Sequence, residues 1–571
     1  SNVIDTVSKY QVMLIEGGTG CGKTTQVPQF LLDSAEGPIK IVVAQPRRVA
    51  AVGVASRVAE ERGENVGSTV GVVVRGEVAM GSHLLFCTTG VLLQRLRSDT
   101  NINGITHLVV DEVHERHLDA DLLLALLRPL LVKRPSLRVI LMSATMDTTR
   151  FSRYFADLNP QLYKGRCPVL SIPGFAHPVD VAYLNDVKRL LDRDEEETRR
   201  EKEAWTATPQ RLDVQFVADA CRAIALDEFQ RDSTGAVLVF VSGAFEIAQI
   251  CRLLERDATL YPLPLHGSLP AKEQRKAFDT EPKGKTKIVV ATNVAETSIT
   301  IPDVTAVVDT LRCKETGYDA SRSLPCLKEV WVRQDAAKQR KGRAGRVRRG
   351  RCYRLCPKSF FEGFGEHTTP EIHRVGLDGL CLQVLSMDLD VESFAPSLLD
   401  PPSPDTLQQA LRELSDLGAV SQKKLTPLGR HLAHLPCAPR LGKLLVLGAS
   451  LGVRDEALRV AAGLGGRSPW RSHPDDRPLA ARFRQELREQ HGCGRSDHAL
   501  DALALRAYAE ASSQPVPTSK FHGAFHAIDA TPARWRAPDS LRRPPRHRRA
   551  ARDSLVDLRT GRSGAGRGNG R

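Results

Sequence analysis

The stretch Gly17-Gly18-Thr19-Gly20-Cys21-Gly22-Lys23-Thr24 fits the pattern G-x-x-x-x-G-K-[ST] in full. It follows the apolar run 12–15 and precedes a stretch with helical spacing. That strand, loop and helix setting is what a phosphate-binding loop requires. Glycines let the backbone curl until several N–H groups face one anion. A lysine adds charge near the outer phosphates, and a threonine hydroxyl suits Mg²⁺. Pro28 reads as an early residue of the helix that follows, where a missing N–H costs least.

Outward from this loop, apolar β-branched runs recur at 39–44, 108–110 and 139–142, with helical stretches such as 91–96 and 121–131 between them. Runs apolar on both faces are the mark of buried parallel strands. A second series lies at 236–241, 287–291, 306–309 and 330–332. Two successive α/β units with parallel sheets are the simplest account. The charged stretch 186–211 between them reads as a solvated helix or flexible insertion. From about residue 358 the pattern turns helical, punctuated by Pro401, Pro402 and Pro404. Beyond Ser512 it turns to Pro, Arg, Gly and His and reads as a disordered basic tail.

With 571 residues, 41% apolar and 26% charged, the chain is an ordinary globular protein of several domains. Its longest apolar stretch, 122–132, is interrupted by Arg128 and Pro129 and is too short to cross a bilayer. No signal peptide opens the chain, and a first residue of Ser leads us to expect a fragment or processed form. The twelve cysteines contain no C-x-x-C pair, which fits reduced thiols in a cytosol-like compartment. Of the net charge of +14, residues 531–571 supply twelve arginines against three aspartates, leaving the body near +5. A basic tail on a nearly balanced body points to polyanion contact.

Asp111-Glu112-Val113-His114 follows the run 108–110. Two carboxylates at a strand end, downstream of a phosphate loop, suit one acid holding a metal and the next taking a proton from attacking water. A zinc site on His114 and His117 is the weaker alternative, and an exposed charged loop the bland one. Further blocks follow in order: Gln45 to Ala50, Thr88-Thr89-Gly90, Ser143-Ala144-Thr145, Ala291 to Ser298, and Gln339 to Arg346. Arginines of the second unit would reach a nucleotide on the first only across a cleft between the units. An unrelated phosphate-loop enzyme such as a kinase leaves that last block unexplained.

With these blocks in this order, the sequence resembles the DEAH-box (DExH) RNA helicases of superfamily two, from about Val12 to Trp470. Within the family it is most similar to the RNA-helicase-A-like branch, through Gly20-Cys21-Gly22-Lys23-Thr24-Thr25-Gln26, Val113 and Lys341. The resemblance implies two tandem RecA-like domains at 1–180 and 181–357, a winged helix at 358–425, a helical ratchet-like domain at 426–512, and the tail at 513–571. It implies that Gly20, Gly22, Lys23, Thr24 and Thr25 bind the phosphates of ATP, with other nucleoside triphosphates also accepted. Thr24, Asp111 and Glu112 would hold Mg²⁺. Glu112 would activate water, Gln339 would place it, and Arg343 and Arg346 would meet the γ-phosphate. Arg57 and Phe278 would sandwich the base.

By the same carry-over, Arg47, Arg48, Thr88, Gly90, Ser242, Gly243, Thr292, Asn293 and Thr297 would line a path for single-stranded RNA, or a duplex with a single-stranded overhang. Ser143 and Thr145 would couple hydrolysis to RNA grip, and residues 314–332 occupy the place of the strand-separating hairpin. The family's 3′-to-5′ translocation and its G-patch-type or ribonucleoprotein partners complete the implied picture; a monomer is the default expectation, and the location is expected to be cytoplasmic or nuclear, with an organelle left open by the incomplete-looking N-terminus. The sequence departs from the family pattern at Gly76 and Ser242, and after Ser512 nothing resembles the family's OB-fold. An RNA-stimulated ATPase clamp with little unwinding is therefore the alternative expectation.

Overall fold

The computed structural model describes residues 2–512 apart from 19, 145–147, 175–176, 193–205, 207, 232–234, 270, 280–283, 297–300, 302, 320–321, 323, 466–469, 471–476, 493 and 495. The expected tail, and the core of the expected insertion at 193–205, thus lie outside the described residues. The chain falls into two compact units. One runs to residue 380 and includes 387–410; the other holds 381–386 and the residues from 411 on.

The first unit contains two sheets. Its first eight strands are β1 (Val12–Gly17), β2 (Ile41–Gln45), β3 (Val70–Val74), β4 (Glu77–Ala79), β5 (Leu84–Thr88), β6 (His107–Val110), β7 (Arg138–Ser143) and β8 (Val169–Ile172). They form one sheet in the order β4-β3-β5-β2-β6-β7-β1-β8, parallel throughout except at the β3–β4 edge. Strands such as Ile41, Val42, Val43 and Ala44 are buried on both faces, because helices cover both sides. Strand β7 lies between β1 and β6, with Glu16 level with Ser143. The glycine loop after β1 and the acidic motif after β6 therefore emerge at the same sheet edge, one strand apart.

The second sheet joins β9 (Val179–Ala182), β10 (Ala236–Phe240), β11 (Leu260–Leu265), β12 (Thr286–Ala291), β13 (Val304–Asp309) and β16 (Gly350–Arg354) in the all-parallel order β11-β12-β10-β13-β16-β9. The run at 330–332, read as a strand of this unit, is elsewhere. It ends a separate antiparallel hairpin of β14 (Arg312–Asp319) and β15 (Leu324–Trp331), and Trp331 packs on Phe360 and Phe364 instead of beneath the sheet. Strand β11 was hidden by Pro262 and Pro264; it forms the sheet edge, where a missing N–H is tolerated. Pro28 is also corrected. The helix Lys23–Asp33 starts directly at Gly22, so Pro28 stands sixth, buried and past the first turn.

Beyond the sheets come the helices Asp378–Leu385, Val391–Phe394 and Pro404–Asp416, then a two-residue hairpin of β17 (Val420–Ser421) and β18 (Lys424–Leu425). In the second unit the helices Pro427–His434, Pro439–Ser450, Arg454–Gly465, Arg477–His491 and Asp497–Ser512 follow. Trp470 packs on Phe483 there and donates its indole N–H to Asp501 at 2.6 Å.

One buried ion cluster fixes the helix Gln334–Lys341 to the second sheet. Arg340 is fully buried, pairs with Asp309 at the end of β13 and with Glu296, each at 2.9 Å, and lies 4.9 Å over the Phe240 ring. Removing one partner of such a cluster strands the others in a dry interior. Arg340→Met should lower unfolding stability by about 3–5 kcal/mol in urea titration. The double variant Arg340→Met/Asp309→Asn should recover part of the loss.

Candidate nucleotide site and nucleic-acid path

The glycine loop is built by two left-handed residues, Gly20 at φ 88° and Gly22 at φ 82°, a conformation that costs glycine little. Lys23 is 4% exposed, and its ammonium donates to Gly17 O at 3.2 Å. The Asp111 carboxylate is held from three sides. The Thr24 hydroxyl donates to Oδ2 at 2.7 Å, the Gln45 amide to the same oxygen at 2.8 Å, and Glu112 N–H to Oδ1 at 2.8 Å. Gln45 had been quoted within a block but given no role. A lone amide ending the apolar strand β2 was the signal that could have marked it.

Glu112 is itself left-handed, at φ 54°. Burial, with the Asp111 charge beside it, pushes its carboxyl up to about 8. No donor reaches its Oε2 among the described residues. His114 Nδ1 lies 3.5 Å away but accepts from Ala144 N–H at 3.2 Å, so it faces Glu112 as an acceptor. Burial lowers His114 to about 4, which keeps it neutral. That hydrogen bond ties the acidic motif to the residue next to Ser143, which closes β7 and is buried.

The second domain completes the site. Gln339 Oε1 is buried without a donor among the described residues. Arg343 is 3% exposed and donates to Glu296 O. Burial and the neighbouring Arg346 push Arg343 down to about 9, while the Glu296 and Glu112 charges oppose that fall. A methyl group placed on Gly20 would lie 3.9 Å from Arg346 Cζ. The phosphate loop of one sheet and the arginines of the other thus face one cleft. Glu296 was missed as an anchor; it holds Arg340 by its carboxylate and Arg343 by its carbonyl.

The expected RNA-facing residues cluster at the carboxyl ends of parallel strands, the edge where open α/β sheets bind ligands. Thr88 ends β5, Arg47 and Arg48 follow β2, Ser242 and Gly243 follow β10, and Thr292 and Asn293 follow β12. Arg47 lies 3.3 Å from Glu115, Arg48 3.7 Å from Glu77, and a Cβ on Gly90 would sit 3.4 Å from Asp119. A side chain at Gly243 would collide with Lys314 of β14. Thr145 and Thr297 lie outside the described residues. Thr25 donates to Gly22 O at 3.1 Å and faces its own loop. Arg57 pairs with Glu61 at 2.8 Å, and both Arg57 and Phe278 are largely exposed.

After the acidic motif, Glu115 accepts from His117 at 2.8 Å. Burial pushes Glu115 up, but His117 and Arg47 outweigh it and hold it at about 2. Neither His114 nor His117 is turned toward a shared metal. His117 instead binds Glu115 and Glu371.

This geometry is that of a P-loop fold with a candidate nucleotide site between two parallel-sheet domains. Three family descriptions match: "DEAD/DEAH box helicase" over residues 1–152, "Helicase conserved C-terminal domain" over 218–348, and "Helicase associated domain (HA2), winged-helix" over 410–437. DExH-box ATP-dependent RNA helicase DExH1 of Arabidopsis thaliana is 40% identical over 82% of this chain and 51% of its own length. DExH3 of the same plant is 39% identical over 89% of this chain and 46% of its own. The crystal structure of Escherichia coli DEAH/RHA helicase HrpB superposes with a TM-score of 0.69 at 31% identity, over 81% of this chain and 55% of that one. The chain belongs to the DExH-box family of superfamily-two helicases. It spans about half the length of the curated relatives it matches.

His117 yields a pH prediction. Hydrogen bonds from its ring to Glu115 and Glu371 raise it from 6.5 to about 9. Its ion pairs therefore stabilise the fold fully below pH 6.5 and lose effect as pH rises through 9. The Tm advantage of the wild type over His117→Gln should be flat below pH 6.5 and shrink between pH 7 and 9. An advantage that grows with pH would refute the pairing.

Proposed function

We propose that the chain is an ATP-dependent RNA helicase motor, and that the residue roles implied by the family resemblance hold here. The observation that carries this reading is the approach of Arg346 to Gly20, with the buried Arg343 and Glu112 beside it. The residues fit a Mg²⁺–nucleotide. Thr24 and Asp111 offer hard oxygen ligands. The buried Lys23 and two arginines supply positive charge, and Glu112 Oε2 and Gln339 Oε1 await a donor. When bound, Mg²⁺-ATP supplies the phosphoryl group and part of the neutralisation of its charge.

Each side chain then has a defined task. Gly20, Gly22 and Lys23 cradle phosphate oxygens, Thr25 braces the loop, and Gln45 keeps Asp111 aimed. Glu112 takes a proton from water that Gln339 orients. Arg343 and Arg346 face the developing charge from the second domain, so hydrolysis depends on the cleft being closed. Arg57 and Phe278, carried on different domains and exposed, suit a loose base sandwich that accepts several nucleotides.

Arg47, Arg48, Thr88, Gly90, Ser242, Gly243, Thr292, Asn293 and Thr297 form the RNA path, and Ser143 and Thr145 couple it to hydrolysis. Their hydroxyls, glycines and guanidiniums suit sugar–phosphate contact that is blind to sequence. The relatives' printed activities support a helicase over a clamp with little unwinding. The proposal includes the domain limits at 180, 357, 425 and 512, a monomeric motor with G-patch-type or ribonucleoprotein partners, and a cytoplasmic or nuclear place of action. No helix among the described residues is long and apolar enough to cross a membrane.

ATP turnover with and without single-stranded RNA tests this reading. RNA should stimulate the wild type, and Glu112→Gln should lose about 10²–10⁴-fold in kcat while still binding nucleotide. A duplex with a 3′ single-stranded overhang should open in an ATP-dependent manner. RNA binding without stimulated turnover would reject the motor.

A further inference from the structure

Residues 365–376 touch three separate parts of the machinery. At the start, Gly365 O and Glu366 O accept the N–H groups of Gln334 at 3.0 Å and Asp335 at 3.1 Å. These open the helix that carries Gln339. Asp335 returns two bonds, to Thr368 N–H at 2.8 Å and its hydroxyl at 3.0 Å. In the middle, Glu371 N–H donates to Arg116 O at 3.1 Å, and its carboxylate accepts Leu118 N–H at 2.8 Å and lies 3.4 Å from His117 Nδ1. At the end, Arg374 donates to Thr316 O of β14 at 3.0 Å, and a Cβ on Gly376 would sit 2.9 Å from the Tyr318 ring.

The piece joining these anchors is one tight turn. Arg374 N–H and Val375 N–H both donate to Glu371 O at 3.1 Å or less. The turn it grips is not self-sufficient. Glu112 and Arg116 are both left-handed, at φ 54° and 52°, which non-glycine residues hold only when their surroundings over-determine it. Arg116 is pinned by a two-pronged bond to Asp121 at 3.0 and 2.9 Å and by Asp400. Its carbonyl and the Leu118 N–H are pinned by Glu371.

We propose that residues 365–376 form a coupling strap, in which Glu371 holds the acidic turn so that Glu112 is aimed and Arg374 passes movement of that turn to the β14–β15 hairpin. This rests on the motor reading above. Glu371 and Arg374 are positioning residues, since neither reaches the glycine loop. Coupling of this kind needs a contiguous chain of packed and hydrogen-bonded groups, and here the chain is six residues, from Glu371 to Gly376.

The test uses the full chain, with hydrogen–deuterium exchange beside steady-state kinetics. Glu371→Ala should speed exchange of the 113–118 amides while the β10 amides stay protected. It should lower kcat for ATP by about tenfold with KM within about twofold, the mark of a misaimed base. Glu371→Gln, which keeps an acceptor for Leu118 N–H, should fall between. Arg374→Ala should speed exchange in β14 and keep ATP turnover within about twofold, while base pairs opened per ATP fall several-fold. Unchanged exchange at 113–118 in Glu371→Ala would overturn the strap. So would loss of turnover and unwinding in equal proportion in Arg374→Ala. Should Glu371→Ala not fold, exchange in Glu371→Gln decides. If the wild type shows no RNA-stimulated turnover, the motor reading falls, and the exchange data still judge the strap.

Discussion

The Asp111 carboxylate is the point on which the first domain's site depends. Its two oxygens take three donors from three strand ends: Thr24 beyond β1, Gln45 at the end of β2, and the Glu112 amide beyond β6. Charge-assisted bonds of this type are about twice as strong as neutral ones. They also fix direction. With Asp111 locked, Glu112 must leave the strand in a left-handed turn, and its carboxyl is carried into a buried setting beside a like charge. Burial first, and the Asp111 charge second, raise the pKa of Glu112.

The second domain solves a different problem, that of holding guanidiniums in a largely dry place. Arg340 is neutralised inside its own domain by Asp309 and Glu296. Arg343 rests on the Glu296 carbonyl, is favoured by the Glu296 and Glu112 charges, and feels Arg346 as a repelling neighbour. A buried Arg343 beside a half-buried Arg346 makes this part of the cleft favourable to negative charge. The ion cluster around Arg340 supplies rigidity, and the pair beyond it supplies electrostatic demand.

The motifs that bind phosphate were legible because each needs particular residue types at short spacing. Gly20, Gly22, Lys23 and Asp111 could be read from neighbours within a few positions. The strands with β-branched residues were legible for a similar reason, since burial on both faces writes itself as an unbroken apolar run. Strand β11 was not, because edge position excuses Pro262 and Pro264 from the rule that marks central strands. The run 330–332 has strand composition but pairs only within its own hairpin, and composition carries no partner information. Gln45 and Glu296 were quoted as parts of blocks without a role, because their function lies in whom they touch. Glu371 left no signal at all: its partners Arg116 and Leu118 are some 250 residues away in sequence.

Those long-range contacts also change how the domains should be regarded. The acidic turn is held on one side by the sheet that bears it and on the other by a segment that follows the second sheet. Asp400 adds a further tie, gripping both Arg116 and Arg150 of the first domain. The turn has bonds of its own, from Glu115 N–H to Glu112 O at 3.0 Å and from Arg116 N–H to Val113 O at 3.3 Å, but its two left-handed residues are held from outside as well. Its geometry is therefore a property of the whole first unit, since the segment 365–400 takes part in holding the turn that bears Glu112. On the motor reading proposed above, a strained turn beside the Glu112 carboxylate, held in part by distant chain, would make hydrolysis answer to the arrangement of the rest of the unit.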